Sequence, residues 1–359
     1  MKIGIMTFHW ATNHGAVLQT YATLNYLKNE YHKFNVEIIN YSPKRHRVTI
    51  SSAIKKTIKE RELRGILEYI KEISLKRFRK KHLVLSQKYD SYELLRARHD
   101  HYDIIFFGSD QIWNPAFLLN GESKTNDAYF GGFCSNRTKK TALSVSFGCT
   151  EYPQRAKEIA EPLIKSFGGI SVREKSGLTI LSEMGNKTAI QLSDPTVLLN
   201  KDIILALCDM ISTTNNATIV VNCIRKHENM KPIIDAYKKE IPNSNIIDIQ
   251  MLSIERWLAA IRDSTIVITD SFHCVMMCLI MHRDFIILPA EGKLAGMNDR
   301  FTTILESLNL LDRIYVHDVQ LAKTLISIDN WDVVDCFLQT EREKLAAFIN
   351  AQLFDSLNE

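Results

Sequence analysis

Thr265-Ile266-Val267-Ile268-Thr269-Asp270-Ser271-Phe272-His273-Cys274-Val275-Met276-Met277 decides the fold class. Its first five residues are a short β-branched run of the kind that fills a buried strand. Phe272 to Met281 is then apolar over a helical length, and Phe285 to Leu288 is a second strand-like run. A strand, a helix and a strand in such quick succession form a parallel pair joined by a crossover. Asp270 reads as the N-cap of the helix, which leaves unsatisfied N–H groups of residues 271 to 273 at the positive end of the helix dipole. Such a turn attracts phosphate or carboxylate. His273, in the first turn, is either a proton donor near neutral pH or a structural histidine packed under a sheet.

The same alternation extends in both directions. Towards the carboxyl end, the terminal helix carries Leu345, Phe348, Ile349 and Leu353 on one face. Towards the amino end, strands are expected at 217–224 and 246–250, with helices at 230–239 and 254–261. Leu192-Ser193-Asp194-Pro195 closes the preceding half, since proline forces the residue before it out of helix. In that half, strands are expected at 2–8, 36–40, 103–107, 142–147 and 170–173. Helical spacing of Val17, Leu18, Tyr21, Leu24 and Leu27 follows the first of them. The expectation is an α/β protein of two successive parallel-sheet domains with a cleft between them: residues 1–198, 199–335, and a terminal helix over 336–359. In open α/β sheets, ligands bind outside the carboxyl ends of the strands. The loops 9–15 and 108–115 lie there.

At 359 residues the chain exceeds one ordinary core, and 45% hydrophobic with 24% charged residues is a globular composition. The start turns polar at His9, Asn13 and His14, unlike a signal peptide, and no run approaches a membrane span. A cytoplasmic protein is expected. The seven cysteines form no C-x-x-C pair, so no structural metal or disulfide framework is expected.

The net charge of +4 is unevenly spread. Residues 44–81 hold 14 Lys or Arg against 4 Glu. That stretch is either a solvated helical face or a dock for the anionic inner face of a membrane. It lacks the interleaved aromatics of a nucleic-acid surface, and no nucleic-acid partner is expected.

No P-loop, dinucleotide fingerprint, G-x-S-x-G elbow, H-E-x-x-H or Asp-x-Asp pair is present. Five other segments, taken together and in order, resemble the polysaccharide pyruvyl transferase family. They are Asn13-His14-Gly15-Ala16-Val17-Leu18-Gln19, Gly108-Ser109-Asp110-Gln111-Ile112-Trp113-Asn114, Ser171-Val172-Arg173-Glu174-Lys175-Ser176, Asp194-Pro195-Thr196 and Ser271-Phe272-His273. The resemblance covers about residues 2 to 310.

The resemblance implies a GT-B-like fold, two Rossmann-like domains facing across a cleft, with the acceptor on the first and the donor on the second. It implies phosphoenolpyruvate as co-substrate, no cofactor and no metal. A sugar, or a lipid-linked oligosaccharide, would accept the pyruvate ketal for an exopolysaccharide, capsule or cell-wall unit. In the family an Arg commonly stands two residues before the His of the second domain, where this chain has Ser271. Arg300 or Lys293 is then left to replace the missing charge. Lys293 reads equally as a solvated loop lysine.

The donor's phosphate and carboxylate need cations, preferably Arg for bidentate contact, and Arg173 is the first candidate beside its reading as an ion-pair partner. Ketal formation needs a general acid and a general base. His273 is assigned as the acid and Asp110 as the base or orienter, with a turn-capping Asp110 as the alternative. Asn13, His14, Gln19 and Trp113 are assigned to the acceptor, although Trp113 suits a core equally. The rival readings are a nucleotide-sugar-dependent glycosyltransferase of GT-B type and a non-catalytic carbohydrate-binding relative.

Overall fold

The computed structural model describes residues 1–44, 47–119, 126–211, 218–225, 227–228, 230–240, 242–316 and 326–355. The chain forms two compact units. The first holds 1–48, 77–198 and 341–359; the second holds 49–76 and 199–340. Both are Rossmann-like, helices alternating with the strands of an all-parallel sheet.

The first unit has six strands: β1 (Lys2–Met6), β2 (Asn35–Ile38), β3 (Ile104–Phe107), β4 (Lys139–Val145), β5 (Gly169–Val172) and β6 (Ile190–Gln191). Their order is β2-β1-β3-β4-β5-β6. β3 is buried along its whole length, the signature of a central strand covered on both faces. The order reverses between β1 and β3, so the carboxyl ends of those two strands flank the switch point at which such sheets bind ligands. Gly108 follows β3 at φ +123°, and a Cβ there would stand 2.2 Å from the Leu143 carbonyl oxygen. Only glycine makes that turn.

The second unit contains β7 (Thr218–Asn222), β8 (Asn245–Asp248), β9 (Ile266–Thr269) and β10 (Asp284–Ile287), ordered β10-β9-β7-β8. Its switch point lies between β7 and β9. β7 and β9 are fully buried, whereas β8 at the edge is largely exposed, which explains why Asn245 and Asp248 are tolerated in it.

The division between units departs from the sequence-based one in two places. Residues 49–76 belong to the second unit, and the terminal helix, Trp331–Asp355, joins the first from Glu341 onward. In the first unit that helix is tied by Ser193 Oγ to Glu341 (2.7 Å), Arg342 Nε to the Val197 carbonyl (2.9 Å) and Lys139 Nζ to the Gln352 carbonyl (2.7 Å). Its own Leu345, Ile349 and Leu353 are buried. The 49–76 segment is a hairpin of two helices, Ile50–Glu60 and the start of Arg64–His82. Lys56 bridges to both carboxylate oxygens of Glu68 across it. Gly65 allows the close approach, since a Cβ would lie 2.3 Å from the Ala53 carbonyl oxygen.

Candidate functional site

In the first unit, a chain of buried polar groups joins the loops after β1, β3, β4 and β5. Gln19 is fully buried. Its amide nitrogen donates to Thr7 Oγ1 (2.8 Å) and its amide oxygen accepts from the Ser109 N–H (3.0 Å), so one side chain clamps both loops at the switch point. Ser109 Oγ accepts from Arg173 Nη2 at 2.6 Å and lies 2.6 Å from the Ser144 carbonyl oxygen. Arg173 in turn stands 2.7 Å from Asp194 Oδ2, both side chains being shut off from solvent. Asp194 Oδ1 accepts from the Thr196 N–H (2.9 Å). Glu174, also buried, accepts from Ser146 Oγ (2.8 Å) and the Phe147 N–H (3.0 Å).

Three side chains assigned from sequence to donor or acceptor are turned inward in this structure. Arg173, the first candidate for the donor, is the cation of a buried ion pair. Gln19 spends its amide on the two loops rather than on a sugar. Trp113 is fully buried, donates from Nε1 to the Tyr129 carbonyl (3.0 Å) and stacks on Phe130 at 5.3 Å, so it is core. Arg173 and Trp113 stand in segments that follow strand ends and Gln19 in the His14–Glu30 helix, and all three side chains turn inward.

Asn13 is half-buried and caps the His14–Glu30 helix, its side-chain oxygen accepting from the Ala16 N–H at 3.1 Å. His14 is buried in the first turn of that helix. Asp110 is half-buried at φ +69°, a left-handed conformation that strains a residue with a Cβ. Its Oδ1 accepts from the Gln111 N–H (2.8 Å). Beside the switch point His9 is fully buried between Thr7 and Asn40, and burial pulls its imidazole down to about 4, leaving it neutral near pH 7.

In the second unit the centre of the switch point is Asp270, almost completely buried. Its Oδ1 accepts from the Ile224 N–H (2.6 Å), and its Oδ2 from the Arg225 N–H (3.0 Å) and Arg225 Nη1 (3.4 Å). His227 Nε2 lies 3.1 Å from the same oxygen. Asp270 is therefore not the N-cap expected from sequence. Ser271 occupies the cap position, and the Asp270 carboxylate reaches back to the end of β7. Thr269 Oγ1 accepts from the Ser271 N–H (3.0 Å), one of the donors at the start of the helix Phe272–Met281.

His273 is buried in the first turn of that helix, edge-on to Phe272. Arg300, from the helix Asp299–Leu308, rests its guanidinium 5.6 Å from the Phe272 ring and 5.4 Å from Phe301. The structure thus brings Arg300 to the residue between Ser271 and His273. Lys293 falls in the turn Gly292–Asn298, and its side chain lies outside the described residues.

Sequence reasoning missed Arg225 and His227. The available signal was their position just past a fully buried strand, at a loop facing the Asp270 turn across the switch. Arg225 also lines a pocket of about 390 Å³ in the second unit, together with Arg64 and Leu67 of the helical hairpin, Met230, Asp248 and Gln250.

A sequence model described as polysaccharide pyruvyl transferase matches residues 13–290 of the chain. No curated protein matches it in sequence. Among solved structures, a Staphylococcus aureus MnaA–UDP complex is 9% identical, with 93% of this chain and 90% of that one covered and a TM-score of 0.49. A Neisseria meningitidis UDP-GlcNAc 2-epimerase bound to UDP-GlcNAc is 10% identical, with 99% of each chain covered and a TM-score of 0.45. The Escherichia coli heptosyltransferase WaaC with ADP is 11% identical, with 82% of this chain and 90% of that one covered and a TM-score of 0.38.

Proposed function

The chain belongs to the polysaccharide pyruvyl transferase family, and on that premise we propose that it moves a pyruvyl group from phosphoenolpyruvate to two hydroxyls of a sugar. The acceptor in this reading is a unit of a surface polysaccharide or its lipid-linked precursor. The observation that carries the proposal is the family match across 13–290, which takes in the loop after β3 in the first unit and the whole switch point of the second.

The reaction balances without an external oxidant or reductant. Both acceptor oxygens bond to the central carbon of the donor, the carbon–oxygen bond to phosphate breaks, and the methylene takes one proton to become methyl. Of the two hydroxyl protons, one is matched by that methyl and the other leaves with inorganic phosphate. A general acid near the methylene and a general base near the hydroxyls are required. His273 is proposed as the acid and Asp110 as the base or orienter.

For the donor, the cations around the second unit's switch point support this reading. Arg225 adjoins Asp270 on one side, and Arg300 adjoins the first turn of the 272–281 helix on the other. These two arginines are proposed to take over the charge that Ser271 does not provide, with the N-terminus of the helix as a third source of N–H donors. Asn13 and His14 are proposed for the acceptor. Phosphate release from phosphoenolpyruvate in the presence of candidate acceptors tests the reading. Turnover of a sugar nucleotide instead would establish the glycosyltransferase alternative.

A further inference from the structure

The helical hairpin carries a concentration of exposed isoleucines that the fold does not explain. In the helix Ile50–Glu60, Ala53 faces inward, while Ile50, Ile54 and Ile58 recur every fourth residue and remain 60%, 48% and 72% exposed. In the partner helix, Lys71 and Leu75 are buried and Leu67 lines the pocket beside Arg225, while Ile66, Ile70 and Ile73 remain 39%, 53% and 37% exposed on another face. Leu63, in the turn between the helices, is 68% exposed. Exposed apolar residues scattered singly are normal, but six isoleucines on one hairpin mark an interaction surface.

Basic side chains border this face. Lys55, Lys59, Arg61 and Lys76 are exposed beside the isoleucines. The enclosing stretch 44–81 carries 14 Lys or Arg against 4 Glu. That combination discriminates between occupants. A second copy of this chain would bring two strongly basic segments together at the moment their apolar faces meet. A nucleic acid would leave the isoleucines against hydrated phosphates. An anionic bilayer satisfies both features, because its headgroups meet the cations while its acyl boundary buries the apolar face.

We propose that the hairpin 50–73 is an interfacial membrane anchor whose isoleucine face inserts into the headgroup–acyl boundary of an anionic bilayer. This deepens the acceptor side of the function proposed above and rests on it, because a lipid-linked sugar is presented at such a surface. The isoleucine face enters the acyl boundary, so binding exceeds what charge attraction alone gives. No helix among the described residues is long and apolar enough to cross a membrane, so the hairpin lies in the interface plane.

The test uses the full chain and no substrate, so its outcome is separate from that of any transferase assay. Sedimentation is measured with phosphatidylcholine vesicles containing or lacking phosphatidylglycerol. The expected result is recovery in the pellet with the anionic vesicles. The variant carrying Ile54→Ser, Ile58→Ser and Ile70→Ser is expected to lose at least about tenfold in partition, because these side chains carry the apolar contribution. All three are exposed, so unchanged circular dichroism is expected. An Ile58→Trp variant is expected to be quenched by lipids brominated on the acyl chain, beyond any quenching of the parent protein. Wild-type binding by the triple variant would overturn the proposal in favour of charge attraction alone. So would a wild-type chain that stays in the supernatant, or a triple variant whose only change is conversion from dimer to monomer.

Discussion

Arg173 Nη2 lies 2.7 Å from Asp194 Oδ2 in a place closed to solvent, where Ser109 Oγ bonds to the same guanidinium nitrogen at 2.6 Å. The pair links the end of β5 to the loop that closes the first unit, and Ser109 carries the link to the loop after β3. Asp110, the proposed base, is the next residue along. Its strained backbone therefore follows directly on a residue held by a buried ion pair.

Replacing Arg173 should accordingly act on stability. Arg173→Ala strands the buried Asp194 carboxylate and is expected to cost about 3–5 kcal/mol. Urea denaturation measures it. A variant of wild-type stability that has lost donor affinity would return Arg173 to the ligand.

Arg225 is expected to behave in the opposite way. Its side chain is about a quarter exposed, beside Asp270. Arg225→Gln should raise KM for phosphoenolpyruvate by at least roughly tenfold, as expected for losing a charged hydrogen bond to an anion, while changing stability little. Steady-state kinetics paired with thermal melting separates the two effects. An unchanged KM would remove Arg225 from the donor site.

His273→Gln should lower kcat by at least about 100-fold, the contribution of a positioned general acid, with the fold retained as judged by circular dichroism. Full activity in that variant would assign His273 to packing alone.

Low pH should unfold the protein in part through His9. Its imidazole titrates at about 4 when folded because burial opposes the charged form, against an ordinary value near 6.5. The unfolded chain therefore binds the proton first. The stability contribution is fully present above pH 6.5 and falls away as pH drops towards 4, by roughly 3 kcal/mol in all. The difference between wild type and His9→Gln, followed by urea denaturation between pH 4 and 7, should narrow or change sign over that interval. A constant difference across it would contradict this.

Much of the fold was legible because buried parallel strands leave short β-branched runs, such as Ile266-Val267-Ile268, that few other structures produce. β6 was not legible, since two residues, Ile190 and Gln191, carry no periodicity. Neither was the assignment of 49–76 to the second unit: amphipathic spacing marks a helix but does not say which sheet it serves. The loops of the candidate site followed from the strand ends. The direction of individual side chains did not. Gln19, Trp113 and Arg173 are residue types that serve sugars and anions as readily as they serve interiors, and tertiary partners such as Ser109, Tyr129 and Asp194 decided between those uses. Asp270 illustrates the same point at a helix start, where a cap and a cross-strand acceptor look identical in sequence.

A thermal-shift comparison of phosphoenolpyruvate with sugar nucleotides tests the identity of the donor without knowledge of the acceptor. A ligand held by the folded state alone raises the melting temperature in proportion to ln(1 + [L]/Kd). The expected result is a concentration-dependent rise with phosphoenolpyruvate that Arg225→Gln weakens and sugar nucleotides do not reproduce. Stabilisation by sugar nucleotides and none by phosphoenolpyruvate would contradict the account.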